Sequence, residues 1–290
     1  MRPLAAVEVG NTLGEGVLWH DPTQSVWWTD IEARKLNRYL WNERTLAQFD
    51  TPERLGAFGF VEGGTQLIAG FESGFAYYNP QNSHLCWIER VLLGCKGLRL
   101  NDGRVDRQGR FWCGAMAERD DVSASLYCLD GAGHLETRET GIAISNSICF
   151  SPDSAWFYFA DTPKRTIWRY AFDATSGTIS NREVFAETPD GAYPDGSTID
   201  AEGYLWNAQW GASRVVRYTP DGKIDRVVDV PAKQPSCVAF GGDDLALLFV
   251  TTARIGLRAP SPDDGNLFVF DTGLKGLPEA QFGPSEAKQP

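Results

Sequence analysis

Four oxygen-bearing side chains, Glu15, Asn101, Asn146 and Asp195, share one local setting. Each stands four residues before a large apolar residue, at Trp19, Val105, Phe150 and Ile199 respectively. Two carboxylates and two carboxamides make an all-oxygen donor set, which suits a hard divalent cation such as Ca²⁺, Mg²⁺ or Mn²⁺ if the fold brings them together. Gathered away from water, the two carboxylates would be costly without a compensating cation or water. The alternative use of Asn and Asp at such places is to cap the turn that leads into a strand. Other chemistries find less support, because the chain has no G-x-S-x-G elbow, no H-E-x-x-H, no C-x-x-C pair and no glycine-rich phosphate cradle. His20, His84 and His134 lie at a strand end or beside turns and read as surface residues.

The elements that must position these four are repeats. Aligning the chain on them adds Gly56, with Phe60 four places on, and Ser236, with Phe240 four places on. The six anchors at 15, 56, 101, 146, 195 and 236 recur every 41 to 49 residues and use almost the whole chain. After each anchor the sequence predicts a short apolar strand, a turn such as Asp200–Gly203, and a second strand rich in aromatic and β-branched residues, such as Trp156–Phe159. A third strand follows, such as Arg214–Tyr218, and in most units a short fourth. Sustained 3.6-residue apolar periodicity is missing, so long helices are not expected. Units of this size with four strands each predict an all-β fold, a six-bladed β-propeller of four-stranded blades around a central channel. The whole chain, 1–290, reads as one propeller domain, closed by pairing of an N-terminal strand within Leu4–Val9 with the last blade. In such a ring the first strand of each blade lines the channel. Glu15, Asn101, Asn146 and Asp195 are therefore expected to converge at one mouth, with Gly56 and Ser236 completing the circle.

Composition narrows the partners. A net charge of −11 over 290 residues disfavours nucleic acid, whose phosphates need a basic surface. No run reads as a signal peptide or a membrane span, and the six scattered cysteines read as reduced core residues, so a cytoplasmic protein is expected, acting as a monomer on a small molecule.

The motifs Leu13-Gly14-Glu15-Gly16-Val17-Leu18-Trp19, Arg99-Leu100-Asn101-Asp102-Gly103-Arg104-Val105-Asp106, Ser145-Asn146 and Tyr193-Pro194-Asp195-Gly196-Ser197 resemble those of the SMP-30/gluconolactonase/regucalcin family, and the likeness extends over all six repeats. The resemblance implies a six-bladed propeller that hydrolyses sugar lactones with one divalent metal in the channel, whether Ca, Zn, Mn, Mg or Fe(II). It implies Glu15, Asn146 and Asp195 as metal ligands, and Arg99 and Asn101 as substrate contacts, with Asn101 close to the metal. Some relatives carry two glutamates after the methionine of the third blade. Here the run is Met116-Ala117-Glu118-Arg119, so Glu118 stands in as the substrate contact and Arg119 departs from the pattern.

The expected reaction is opening of an aldonolactone of the gluconolactone, xylonolactone, arabinonolactone or galactonolactone type. Asp195 is the expected base, with hydroxide held by the metal as the alternative. Two other readings are metal-dependent cleavage of other esters on the same scaffold and a non-catalytic interaction propeller. The scarcity of histidine speaks against paraoxonase-type chemistry. The run Trp27-Trp28-Thr29-Asp30, echoed weakly at Phe159-Ala160-Asp161, resembles receptor propellers but is read as a blade-packing device.

Overall fold

The computed structural model describes residues 1–283; the last part of the expected 1–290 domain, 284–290, lies outside them. Six four-stranded antiparallel sheets form the ring of a β-propeller, with two short 3-10 turns at Asp21–Thr23 and Thr162–Lys164 as the helical content among the described residues. Each of five sheets is built from consecutive strands. The sixth is composite: Ala5–Val7 pairs antiparallel with Leu267–Asp271, so the start of the chain supplies the outer strand of the last blade.

Burial explains the strand composition. The second strands, such as Ser25–Asp30 and Leu67–Phe71, are buried along their whole length between neighbouring blades, so their apolar residues run together without a polar alternation. The outer strands Thr45–Asp50 and His84–Glu89 carry exposed or half-buried residues throughout. Trp28, Trp112 and Trp206 are wholly buried between blades.

Two devices join strands and recur. Asp106 accepts hydrogen bonds from the backbone N–H of Gln108 (2.9 Å) and Arg110 (3.0 Å) and from Trp112 Nε1 (2.9 Å). Asp200 repeats this with Glu202 and Tyr204 (both 3.0 Å) and Trp206 Nε1 (2.8 Å). Each turn closes through a glycine in the left-handed region, Gly109 (φ 82) and Gly203 (φ 83), where an L side chain would be strained. The second device is the aspartate ending the second strand. Asp30 accepts from the N–H of Thr12 (2.8 Å) and Leu13 (3.0 Å), and Asp161 from Ala143 (3.1 Å) and Ile144 (2.9 Å). The Trp-Thr-Asp run is thus a packing element, and both aspartates fix the segment just before a channel anchor.

Candidate functional site

Glu15, Asn101, Asn146 and Asp195 do not precede their inner strands, as the sequence suggests, but lie within them, on Gly14–His20, Leu98–Val105, Ser145–Phe150 and Tyr193–Ile199. Near each anchor the inner strand carries one extra residue. The register slips between Glu15 and Leu18, Leu100 and Gly103, Asn146 and Cys149, and Pro194 and Ser197. A β-bulge breaks strict alternation and re-aims a side chain, here into the channel. Gly16 (φ 59) and Ser147 (φ 61) supply the left-handed residue in the first and fourth blades.

The two anchors without a charge or carboxamide serve packing. A Cβ on Gly56 would stand 2.5 Å from the carbonyl oxygen of Leu100 and 2.7 Å from that of Asn101, so only glycine lets these inner strands approach. Ser236 Oγ donates to the carbonyl of Gly14 and closes the ring between the last and first blades.

All six residues singled out from the sequence, Glu15, Arg99, Asn101, Glu118, Asn146 and Asp195, line one cavity of about 440 Å³ at the channel mouth. That is the size range of a small-molecule site. A larger open groove of about 730 Å³ lies between the outer parts of the third and fourth blades, but none of these six borders it.

Hydrogen bonds set the orientations. Arg99 Nη1 donates to the carbonyl of Leu100 (3.0 Å) and to Asn101 Oδ1 (2.7 Å). Asn101 Nδ2 donates to the carbonyl of Ser145 (2.9 Å) and to Asn146 Oδ1 (3.3 Å). Asn146 Nδ2 donates to Thr162 Oγ1 (2.8 Å), which donates to the carbonyl of Pro194 (3.0 Å). This chain fixes which face of each amide is oxygen. Ser147 Oγ and Asn207 Nδ2 both hold the Asp195 carbonyl, at 2.7 and 3.0 Å.

The electrostatics are strained in a way that asks for a cation. Burial, then the charge of Asp102, pushes the Glu15 carboxyl up from 4.5 to about 8. Burial, then Glu15 itself, raises Asp195 well above its ordinary value. Burial raises Asp102 to about 6, although Ile148 N–H donates to its carboxylate at 2.9 Å. The nearby cation Arg99 directs Nη1 at Leu100 and Asn101, not at either anchor carboxylate. Among the described residues no three of His, Cys, Asp and Glu gather in metal-binding geometry. The set is instead two carboxylates flanked by two oriented carboxamides, and such an oxygen set with a charge deficit fits a hard divalent cation.

Residues 13–254 match the family described as SMP-30/Gluconolactonase/LRE-like region. The chain belongs to the SMP-30/gluconolactonase family. It is 39% identical over 283 residues to an L-arabinolactonase of Azospirillum brasilense, covering 94% of this chain and 92% of that one. It is 33% identical over 279 residues to a 6-deoxy-6-sulfogluconolactonase of Pseudomonas putida, covering 94% and 95%. The crystal structure of a calcium-binding protein, regucalcin, from Agrobacterium tumefaciens superposes with a TM-score of 0.91 at 30% identity, covering 97% of each chain.

Within this SMP-30 family fold several residues at or beside the cavity were not singled out as site residues from the sequence. Asp102 follows an anchor, and ordinary alternation would point it away from Asn101; the bulge keeps it in the channel. Glu32, Trp210 and Ile255 come from loops and strand ends beyond the repeat phrase, and Tyr193 opens the motif that carries Asp195. The Arg119 departure is harmless to the cavity: Arg119 Nε donates to Asp121 (2.9 Å), and its stem packs on Gly97, where a Cβ would meet Arg119 Cδ at 2.5 Å.

Proposed function

We propose that this family member is a divalent-metal-dependent sugar lactonase that opens an aldonolactone to the aldonic acid, with Glu15, Asn146 and Asp195 as the metal ligands. The observation that carries the reading is the adjacent pair of half-buried Glu15 and buried Asp195, both driven toward protonation, beside the oriented carboxamides of Asn101 and Asn146. The relatives named as lactonases support the reaction class, and the solved relative titled a calcium-binding protein supports the ion. The identity of the metal and of the sugar, among gluconolactone, xylonolactone, arabinonolactone and galactonolactone, belongs to the same proposal.

Glu15, Asn146 and Asp195 would hold the cation, which would supply Lewis-acid polarisation of a lactone carbonyl, a contribution on the order of several kcal/mol. Asp195 takes a proton from the water whose oxygen adds to the carbonyl carbon. The ring C–O bond then breaks, and the departing ring oxygen takes that proton from Asp195 to become a hydroxyl group, which restores the carboxylate. Without a cation, burial and the Glu15 charge hold a proton on Asp195; with both offset by the ion it would ligate, its carboxylate is free to accept the proton of the water. Arg99 and Asn101 orient the ring through its carbonyl or hydroxyl oxygens, and Glu118 accepts from a substrate hydroxyl. Leu13, Met116 and Ile144 give the cavity an apolar wall that keeps loose water from the reacting carbon. The expected monomer and cytoplasmic location remain part of the proposal; gel filtration tests the first.

The test is Asp195→Ala, assayed on the four lactones by acid release, with divalent ions titrated by calorimetry. A drop of about 10³-fold or more in kcat/KM together with lost ion binding is expected. Near-full activity and affinity would overturn the scheme. Aryl esters in the same panel separate sugar-lactone hydrolysis from general esterase activity.

A further inference from the structure

Arg54 was no part of the repeat phrase, yet it organises one side of the cavity. It stands immediately before the inner strand Leu55–Phe60 of the second blade. Its guanidinium meets three carboxylates from three blades. Nη1 donates to Glu118 Oε1 at 2.6 Å and to Glu32 Oε1 at 3.1 Å. Nη2 donates to Glu118 Oε2 and to Glu72 Oε1, both at 3.1 Å. Nε donates to Glu72 Oε2 at 2.9 Å. All the N–H groups of an arginine are thereby engaged.

Glu118 depends on this grip. Its backbone N–H is tied to the carbonyl of Gly97 at 2.8 Å, but the residues after it, Arg119–Asp121, are exposed. Arg119 turns away to Asp121, so Arg54 is the cation that directs the Glu118 carboxylate, through a bidentate contact. So directed, Glu118 Oε1 stands 3.6 Å from Nε of Arg99, whose side chain is only 4% exposed. Charged groups bordering the cavity are Glu15, Glu32, Glu118 and Asp195 on one side of the balance and Arg99 on the other. Its one cation is thus already matched by a carboxylate.

We propose that Arg54 is a positioning residue that fixes Glu118 against Arg99, and that this pairing selects an uncharged polyhydroxy lactone over one bearing an anionic group. The proposal rests on the lactonase reading. Glu118, held in place, accepts from a ring hydroxyl while its charge offsets that of Arg99, and Glu32 adds repulsion toward an anionic substituent. A lysine at position 54 keeps the charge but not the planar fork that spans three carboxylates.

The experiment measures kcat and KM of the metal-loaded protein on neutral aldonolactones and on a 6-sulfonated or 6-phosphorylated gluconolactone. The unmodified protein is expected to favour the neutral substrate by at least about 30-fold in kcat/KM, and Glu118→Gln to narrow that ratio at least about fivefold. Arg54→Gln and Arg54→Lys are each expected to raise KM for the neutral lactone about tenfold, with kcat changed less than about threefold. The double variant Arg54→Gln/Glu118→Gln should show no further KM increase over Glu118→Gln, because one acts through the other. Multiplying effects in that cycle, or equal use of neutral and anionic lactones by the unmodified protein, would overturn the proposal. Should one Arg54 variant fail to fold by thermal melting, the other carries the cycle. Absence of hydrolysis of every lactone by the unmodified protein would instead overturn the lactonase reading beneath it.

Discussion

At the scale of single residues, Glu15 and Asp195 bind protons in the folded chain at pH values where an unfolded chain has lost them. Burial raises Glu15 from 4.5 to about 8 and Asp195 well above its ordinary value. A group whose folded affinity for protons is raised favours the fold at low pH and opposes it once it must ionise. The metal-free protein is therefore expected to lose stability between about pH 5 and pH 8, by on the order of a few kcal/mol. Thermal melts of chelator-treated protein at pH 5.5 and pH 8 check this: the midpoint should be lower at pH 8, and Ca²⁺ or Mn²⁺ should restore it. Glu15→Gln should flatten the pH dependence without metal and abolish the recovery with it. Ion affinity should rise over the same interval, since the ion competes with protons for these oxygens. A midpoint indifferent to both pH and ion would contradict the assigned electrostatics. Glu118 behaves oppositely: the Arg54 guanidinium holds its carboxyl below the ordinary value, so it stays charged across this range.

At the scale of strands, the anchors work because the inner strands bulge and because neighbouring strands come unusually close. Gly56→Ala tests the second condition. Its new Cβ would meet backbone oxygen at 2.5 Å, which no side-chain rotation relieves. A stability loss of about 2–4 kcal/mol is expected, within the range for forced overpacking and its extremes. Because the struck atoms belong to Leu100 and Asn101, lactonase activity should fall in parallel, measured by acid release below the melting range. Asp200→Ala tests the hairpin device. It strips Trp206 Nε1 and the Arg217 guanidinium, whose Nε donates to Asp200 at 2.8 Å, of a buried acceptor. A cost of about 3–5 kcal/mol in denaturant unfolding is expected, with metal affinity preserved in whatever fraction stays folded.

At the scale of the whole molecule, the ring is closed twice. One closure is the pairing of Ala5–Val7 with Leu267–Asp271. The other is the segment after the last strand, which runs back across the end of the channel away from the cavity. Gly276 bridges Asp200 in the fifth blade, Arg104 pairs with Glu279 at 3.4 Å, and Phe282 bridges Val61 in the second. Phe282 is 1% exposed and packs against the cluster under the second and third blades. Phe282→Ala is expected to cost about 3–5 kcal/mol and to lower the melting midpoint, with KM for lactone unchanged because the strap lies at the opposite end from the substrate.

Legibility in the sequence followed how local each feature is. The six-fold phrase, with an oxygen side chain or a small residue four places before an apolar one, is written in contiguous residues. Periodicity alone therefore led to the propeller and brought Glu15, Asn101, Asn146 and Asp195 to one mouth. Arg99 and Glu118 came from the family resemblance, and the same cavity holds them. What no stretch of sequence encodes is which side chains cross between blades. Asp102 enters the channel because a bulge cancels alternation. Glu32, Glu72 and Glu118 meet Arg54 because three blades are packed side by side. The charge deficit at Glu15 and Asp195 exists only once the closed ring has brought the two carboxylates together and taken most of the water from around them. Those contacts depend on distances across the ring, and such distances are set when the sheets close, not when the strands form.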